Sequence, residues 1–257
     1  TTGRAYSGVN VLILWGAVIA GGYPNQGWLT FRQALAAGGC VRKGEQGVTV
    51  CYADRFTPEA EKQRSAEQGD DARSIPFLKR FVVFNVAQCD GLPARLTGDA
   101  IPLGPSDQHE GAEALIAATG ADFRIGGARA FYSPSGDYVQ VPPQCAFPNQ
   151  LDFARIALHE LGHWAGGKAR LARDQSGQFG SALYAREELC AELTAAFLCA
   201  ALGIVPTVRH ADYLGSWLAV LHADCRAIFK AASQASKAAD YLLAFADPAR
   251  AGLERAA

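Results

Sequence analysis

His159 and His163 stand four residues apart in the pattern H-E-x-x-H, and this spacing limits which folds the chain can adopt. On an α-helix, residues four apart lie on one face about one turn apart, so both imidazoles can offer a ring nitrogen to one ion. Two imidazoles with a neighbouring carboxylate suit Zn²⁺, which keeps one open position where it is catalytic. Glu160 lies between the histidines and can reach a water molecule on the metal, which is the place of a general base. The pattern predicts a helix that carries a metal site of the hydrolytic type.

The residues around the motif favour a helix. Apolar side chains recur from Phe153 to Leu161 without an intervening proline, and Asn149 precedes them in the position of an N-cap. The glycine pair at 166–167 follows, and glycine commonly ends a helix. We therefore expect the metal helix to run from Gln150 to that glycine pair.

A catalytic zinc site needs a third protein ligand. In the longer pattern H-E-x-x-H-x-x-G-x-x-H the glycine position is Gly166, but the final histidine position is Ala169, which cannot bind a metal. A glutamate on a later helix is the other source. The segment Tyr184–Gly203 is apolar on two sides, which predicts a buried helix, and Glu188 and Glu192 share one face of it.

Buried carboxylates are costly unless they are paired or bind a metal. We therefore assign Glu188 as the third ligand and Glu192 as the acceptor from the outer N–H of a ligand histidine. The reverse assignment, or Glu187 as the ligand, is the alternative.

A further polar group could stabilise a developing oxyanion beside the metal. His210 is the candidate for this role, because it is the remaining histidine near this part of the sequence. Tyr184 and Tyr213 are its rivals, and a purely structural or solvent-exposed histidine is the common alternative.

The two halves of the 257-residue chain differ in charge. Residues 1–96 contain 11 Lys+Arg and 8 Asp+Glu, whereas residues 97–257 contain 13 and 17. The net charge of −1 gives no sign of a nucleic-acid partner for the whole chain, but the asymmetry indicates a basic module joined to a neutral or acidic one. We expect a first domain at 1–96, a linker at 97–105 and a second domain at 106–257.

The first module is expected to be a small α+β domain. The patterns predict helices at 5–20 and 28–37, strands around a glycine-bearing turn between 41 and 52, and a strand at 77–86. The polar, mixed-charge segment at about 57–75 is expected to be a mobile loop.

Basic and aromatic residues are interleaved in this module outside that loop. Proteins that bind single strands use such pairs, because bases stack on rings while cations follow the phosphates. Alternatively the rings are core and the charges form a solvated rim, and the residues alone do not separate the two. The candidate DNA-binding residues are Tyr23, Trp28, Phe31, Arg32, Arg42, Lys43, Lys79 and Arg80.

The second module is expected to be mostly helical with a small sheet. A helix is expected at 106–119, followed by three short strands before the metal helix. Further helices are expected at about 184–203, 209–225 and 226–245. The fold class is therefore α+β, with a small α+β domain followed by a mostly helical metal-binding domain.

Cysteine usage and hydropathy indicate the compartment. The apolar run Val11–Ala20 is too short to span a membrane, which takes about 20 residues. The 7 cysteines are scattered and form no C-x-x-C pair, which favours a reducing environment over a disulfide framework. We expect a cytoplasmic protein without a membrane partner.

The pair of motifs HELGHW and YAREELCAE resembles the zincin metallopeptidases of the gluzincin type, in which a distant glutamate completes the metal site. Nearly all of residues 1–245 also resembles the ArdC-type antirestriction proteins of conjugative plasmids. The N-terminal residues that carry this resemblance are Tyr6–Asn10, Trp28–Ala34, Val41–Glu45 and Phe84–Val86. The resemblance implies an N-terminal domain that binds single-stranded DNA and a zincin-like C-terminal domain, and it favours the DNA interpretation of the aromatic and basic residues.

The resemblance implies an antirestriction protein that binds single-stranded DNA and protects incoming plasmid DNA from host restriction. Its zinc metallopeptidase-type domain would bind Zn²⁺, with Mn²⁺ or another divalent ion as the alternative. A host protein of the restriction system would be its substrate. Two other hypotheses stay open: a DNA-binding protector whose zincin domain is a docking scaffold without turnover, and a plain zinc peptidase whose first domain recognises protein.

Overall fold

The computed structural model describes residues 6–68, 71–97, 105–204, 221–224 and 226–246. The chain divides into two compact units. The first comprises Thr1–Tyr6 and Asn10–Ala100, and the second comprises Ser7–Val9 and Ile101–Ala257. The division at 1–96, 97–105 and 106–257 stays a prediction. Helices and small sheets occur together, as the expected α+β class requires.

The first unit is built around a long antiparallel hairpin. Its elements are α1 (Val9–Gly21), β1 (Trp28–Thr30), α2 (Phe31–Ala36), β2 (Cys40–Val41), β3 (Val48–Phe56), α3 (Glu59–Gln68), β4 (Ile75–Asn85), β5 (Cys89–Asp90) and α4 (Ala94–Thr97). β4 is the central strand of an antiparallel sheet with the order β1-β4-β3. β2 and β5 pair antiparallel in a second, two-stranded sheet.

Two small clusters of buried side chains form the core of this unit. Leu14, Trp28, Val50 and Val83 make one cluster. Leu29, Ala34, Val86 and Cys89 make the other. Successive residues of a strand point to opposite faces, so Trp28 and Leu29 of β1 contribute one side chain to each cluster.

The helix expected at 28–37 is wrong in its first part, since Trp28–Thr30 forms β1 and pairs with β4. The helix α2 begins directly after Thr30. The Thr30 side chain accepts from the backbone N–H of Gln33, and the Gln33 side chain accepts from the backbone N–H of Thr30. This reciprocal capping box fixes where the strand ends and the helix begins.

The segment 57–75 is not a loop throughout, because Glu59–Gln68 forms α3. Ion pairs between residues three apart lie along this helix: Glu59 pairs with Lys62 at 3.1 Å, and Glu61 pairs with Arg64 at 3.0 Å. Such pairs support a helix that has little apolar surface to bury. The expectation failed because it was based on composition, whereas the helix depends on the spacing of the charges.

The second unit combines a small mixed sheet with long helices. Its elements are α5 (Pro105–Thr119), β6 (Asp122–Ile125), β7 (Phe131–Ser133), β8 (Tyr138–Val141), α6 (Gln150–Ala165), α7 (Ala182–Ala201) and α8 (Ala227–Ala246). β8 is central, with β6 parallel on one side and β7 antiparallel on the other. The expected helix at 209–225 lies, apart from 221–224, outside the described residues.

The helix α6 is the centre of this unit. It contacts β7 and β8 of the sheet as well as α5, α7 and α8. Fully buried side chains from these elements include Leu115, Val139, Val141, Leu158, Leu161, Leu198 and Leu242. In the part of the chain that is described, every helix is too short or too polar to cross a membrane.

α6 and α7 approach each other closely at Gly162. A Cβ atom added there would lie 3.2 Å from Cβ of Thr194 and 3.3 Å from the carbonyl oxygen of Ala191. At its start, α6 is capped by Asn149, whose side chain accepts from the N–H of Asp152 at 2.9 Å. The glycine contact lets the histidine-bearing face of α6 lie against the glutamate-bearing face of α7.

Candidate metal centre

Side chains of His159 and His163 from α6 and of Glu188 from α7 converge in the second unit. One ligand atom from each lies within 4.8 Å of the others. The two Nε2 atoms are 3.2 Å apart. One Glu188 carboxylate oxygen lies 3.5 Å from Nε2 of His159, and the other lies 3.5 Å from Nε2 of His163. The fold therefore brings together the three side chains that the sequence singled out.

A carboxylate lies behind each imidazole. Glu192 Oε2 is 3.1 Å from Nδ1 of His159, and Glu187 Oε1 is 3.1 Å from Nδ1 of His163. With Nδ1 as the donor, each ring presents the lone pair of its Nε2 atom on the Glu188 side. Glu192 stands in the place expected for the acceptor, whereas Glu187, the alternative ligand, faces the outer nitrogen of His163.

Two residues of the loop before α7 hold Glu187, and the sequence patterns did not indicate either of them. Arg173 donates from Nε and Nη2 to the two Glu187 oxygens at 2.9 and 2.7 Å. Its Nη2 also donates to the carbonyl oxygen of Gly162 at 2.7 Å. Gln175 donates to Glu187 at 2.9 Å and to the carbonyl oxygen of His163 at 2.7 Å. The loop thus joins the carboxylate on α7 to the backbone of α6.

Charge in this site shifts the pKa of its members. Burial opposes the charged form of His159, but hydrogen bonds to Glu188 and Glu192 outweigh burial and raise the pKa of the imidazole. Burial also works to raise the carboxyl pKa of Glu187, but His163 and Arg173 outweigh it and hold that pKa well below its usual range. The Glu187 carboxylate consequently stays ionised and attracts positive charge.

The residues present fit a divalent cation. The carboxylates at the site belong to Glu160, Glu187, Glu188 and Glu192, and they surround two imidazoles and the Arg173 guanidinium. His159, Glu160 and Glu188 are 6%, 8% and 7% exposed, so their charges are largely removed from water. Four carboxylates grouped in this way, with Glu160 and Glu188 buried and Glu187 and Glu192 half-buried, are costly unless cations balance them. Two imidazole nitrogens and one carboxylate oxygen are also a donor set that first-row divalent ions accept.

The three converging side chains lie in a cleft of about 560 Å³. Its lining also includes Phe131, Tyr132, Pro134, Ile156, Glu160 and Tyr184. Glu160 is therefore at the cleft surface beside the two histidines. Of the three oxyanion candidates, Tyr184 lines this cleft, whereas His210 and Tyr213 lie outside the described residues.

Some of the expected DNA-binding residues in the first unit are already engaged within the protein. Trp28 is buried, and its ring meets Tyr23 edge to face with ring centroids 6.0 Å apart. The Trp28 ring offers no free face to a base, which corrects the expectation that it stacks on DNA. The Arg42 guanidinium donates to Glu45 at 2.7 Å and to the carbonyl oxygen of Ala87 at 2.8 Å.

The other candidates are on the surface. Phe31, Arg32, Lys43, Lys79 and Arg80 are all exposed, and Phe31 is 51% exposed. Lys79 and Arg80 are successive residues of β4, so their side chains leave opposite faces of the sheet. A role in DNA binding stays a prediction for these five residues.

Family models match two separate parts of the chain. Residues 1–84 match the N-terminal domain of the anti-restriction factor ArdC. Residues 110–234 match MPTase-PolyVal, a zincin-like metallopeptidase family.

Relatives and solved structures agree with these matches. The chain is 43% identical over 246 residues to the uncharacterised protein y4eC of Sinorhizobium fredii, covering 93% of this chain and 78% of that protein. Two Escherichia coli proteins named DNA primase TraC are 40% and 38% identical over 95% of this chain, which spans 24% and 17% of their length.

Two crystal structures of the antirestriction protein ArdC from plasmid R388 resemble this chain at 42% identity. The metal-free structure matches with a TM-score of 0.79 and covers 96% of this chain and 88% of that one. The Mn(II)-bound structure matches with a TM-score of 0.75 and covers 95% and 86%.

Proposed function

Since the chain belongs to the ArdC family of antirestriction proteins, we propose that it protects incoming plasmid DNA from host restriction. In this proposal the first unit binds single-stranded DNA in the cytoplasm. The second unit is a zinc peptidase-type domain that acts on a protein of the host restriction system. The observation that carries the proposal is the convergence of His159, His163 and Glu188 in a cleft that also contains Glu160.

We propose Zn²⁺ as the ion. His159 and His163 hold it through Nε2, and Glu188 holds it through its carboxylate. Three protein ligands of this kind leave an open position, as in catalytic zinc sites. The Mn(II)-bound structure of the R388 protein makes Mn²⁺ the alternative. When bound, the ion supplies Lewis acidity, which polarises a carbonyl group and lowers the pKa of water.

The remaining chemistry belongs to side chains of the cleft. Glu160 is the general base: its carboxylate takes a proton from the attacking water and passes it to the nitrogen of the leaving amine. Tyr184 lines the same cleft. Its hydroxyl donates a hydrogen bond to the carbonyl oxygen of the substrate, on which negative charge develops. Glu187 and Glu192 keep the two imidazoles oriented.

We infer that an extended peptide is the substrate that binds in this cleft. Among the described strands, β7 lies at the outside of the order β6-β8-β7. Phe131 and Tyr132 of β7 line the cleft together with Glu160. A strand added beside β7 gains main-chain hydrogen bonds without demanding a particular sequence. A protein segment bound in this way passes the metal-binding side chains.

The variant Glu160→Gln tests whether hydrolysis is part of protection. It removes the proton acceptor and keeps the size of the side chain, so we expect cleavage of a purified host restriction enzyme to fall by about 10²–10⁴-fold. Plasmid transfer into a restricting host should fall with it. Glu110→Gln changes an exposed carboxylate of α5 in the same way and should retain both activities.

Undiminished protection by Glu160→Gln would contradict a hydrolytic role and favour a docking scaffold.

The proposed binding of single-stranded DNA is tested by titrating a labelled oligonucleotide at several salt concentrations. Phosphate contacts predict that log K falls with log[salt] by about 0.7 for each phosphate neutralised on a single strand. Binding that is absent or independent of salt would favour the plain peptidase.

A further inference from the structure

The hairpin of β3 and β4 extends beyond the core of the first unit. On β3 the burial ends at Val50, and on β4 it begins at Val83. No residue of 51–56 or 75–82, the two segments that lie between these positions and the tip of the hairpin, is buried. We call these two paired segments the outer hairpin. Its exposed large apolar side chains are Tyr52, Phe56, Ile75, Leu78, Phe81 and Val82, which are 42% to 65% exposed. Where exposed apolar side chains of this kind form a contiguous patch, the patch marks an interaction surface.

The strand register sorts these side chains onto two faces. Tyr52 on β3 lies directly opposite Lys79 on β4. Directly opposite residues of an antiparallel pair share a face, as do alternate residues of one strand. One face therefore carries Tyr52, Asp54, Phe56, Ile75, Phe77, Lys79 and Phe81, and we call it the aromatic face. The reverse face carries Arg55, Leu78, Arg80 and Val82.

Rings and a cation are close together on the aromatic face. The ring centroids of Tyr52 and Phe77 are 6.0 Å apart at an angle of 49°. Nζ of Lys79 lies 5.1 Å from the centroid of the Phe77 ring. Asp54 brings a negative charge to this face, but one of its oxygens accepts from the Tyr52 hydroxyl at 2.6 Å and the other from the N–H of Arg55 at 2.7 Å.

The free edge of β3 is a less suitable binding surface than this face. Both backbone groups of Cys51 on that edge are bonded to the Asn10 side chain, the N–H at 2.9 Å and the carbonyl oxygen at 2.6 Å. An added strand would have to displace Asn10 to continue the ladder past Cys51. Side-chain contacts on the aromatic face require no such exchange.

Charge indicates which partner fits. On the aromatic face, Lys79 is the cation, and the one carboxylate, Asp54, already accepts hydrogen bonds with both oxygens. Arg55 and Arg80 add positive charge on the reverse face of the outer hairpin. A purely apolar partner would leave these cations without counter-charge, whereas a single-stranded nucleic acid supplies bases for the rings and phosphates for the cations. Every base has a π face, so stacking of this kind needs no particular sequence.

We propose that the aromatic face of the outer hairpin is the stacking surface for single-stranded DNA. The rings of Tyr52, Phe77 and Phe81 contact the bases, and Lys79 lies beside the phosphates. This inference rests on the proposed DNA-binding function of the first unit and adds the surface to it. It assigns the stacking role to the hairpin instead of to Trp28, which is in the core.

The test compares two probes of equal length, a labelled oligothymidylate and an abasic oligonucleotide that keeps the phosphates and lacks the bases. Phe81→Ala should weaken binding of the oligothymidylate on the order of tenfold, because a stacked ring is lost. It should leave binding of the abasic probe unchanged. Leu78→Ala removes an exposed apolar side chain from the reverse face of the same strand and should bind both probes as the unmodified protein does.

Each other outcome contradicts the proposal in its own way. Equal weakening for both probes would show that Phe81 supports the hairpin without stacking. If the Phe81→Ala and Tyr52→Ala variants bind the oligothymidylate as the unmodified protein does, the aromatic face is not the stacking surface. The proposal that the protein binds DNA would not be affected. An unmodified protein that binds neither probe would overturn the DNA function as well. If Phe81→Ala instead abolishes self-association in sedimentation with DNA affinity unchanged, the face is an interface between copies of this chain.

Discussion

The Glu187 carboxylate lies 3.1 Å from Nδ1 of His163 and accepts from Arg173 with both of its oxygens. Glu188, the next residue, faces the other ring nitrogen of the same histidine at 3.5 Å. Two consecutive glutamates of α7 therefore contact one imidazole from its two sides. One of them orients the ring, and the other completes the group that we propose to bind the ion.

Removing the orienting carboxylate should weaken metal binding without removing the site. For Glu187→Ala we expect about 10–100-fold lower Zn²⁺ affinity, because His163 loses the partner that holds its ring and tautomer. The number of ions bound per chain should not change, since all three ligands remain. Competition with a chromophoric chelator measures the affinity, and Glu110→Ala on α5 is the control. Affinity equal to that of the unmodified protein would show that Glu187 does not position the ligand.

The close approach of α6 and α7 predicts a difference between two glycines in helices. In Gly162→Ala the new methyl group meets Thr194 and the backbone of Ala191, and overpacking of this kind costs about 1–3 kcal/mol. In Gly111→Ala on α5 the nearest atom is 3.8 Å away, so the variant gains only the better helix propensity of alanine. Urea unfolding should therefore give Gly111→Ala the higher free energy of unfolding, by about 1–3 kcal/mol. Equal stabilities would show that the helices can separate at no cost.

Trp28 should affect stability rather than stacking. Its ring is in the cluster with Leu14, Val50 and Val83, so we expect Trp28→Ala to lower the free energy of unfolding by about 3–5 kcal/mol. Phe31→Ala, at a 51% exposed ring, should change it by less than about 0.5 kcal/mol. Unfolding of both variants in urea, followed by circular dichroism, checks this. A Trp28→Ala protein that is as stable as the unmodified protein but no longer binds an oligonucleotide would contradict this and show that Trp28 contacts DNA.

The parts of the site on regular helices could be predicted from sequence. A spacing of four residues on α6 and a helix apolar on two sides at α7 were enough to predict that His159 and His163 meet a glutamate of α7, because helix geometry converts spacing into direction. The same geometry did not separate Glu187 from Glu188. Adjacent residues of a helix point about 100° apart, and which of them meets a ring depends on how the two helices pack.

Features outside long periodic segments could not be predicted. Arg173 and Gln175 lie in the loop before α7, where no period relates a residue to a direction, so their bonds to Glu187 were missed. β1 has 3 residues, which is too short to show an alternating pattern, and its residues were assigned to the following helix. The helix α3 has few apolar residues and resembled a loop in composition alone.

The most direct test of this account is a calorimetric titration of metal-stripped protein with Zn²⁺, comparing Glu188→Gln with Glu160→Gln. The two residues lie in the same cleft, but only Glu188 faces both Nε2 atoms. We expect one ion per chain in the unmodified protein and in Glu160→Gln, and greatly weakened or absent binding in Glu188→Gln, because a ligand is lost. Zn²⁺ binding by Glu188→Gln that matches the unmodified protein in affinity and stoichiometry would contradict the proposed metal centre.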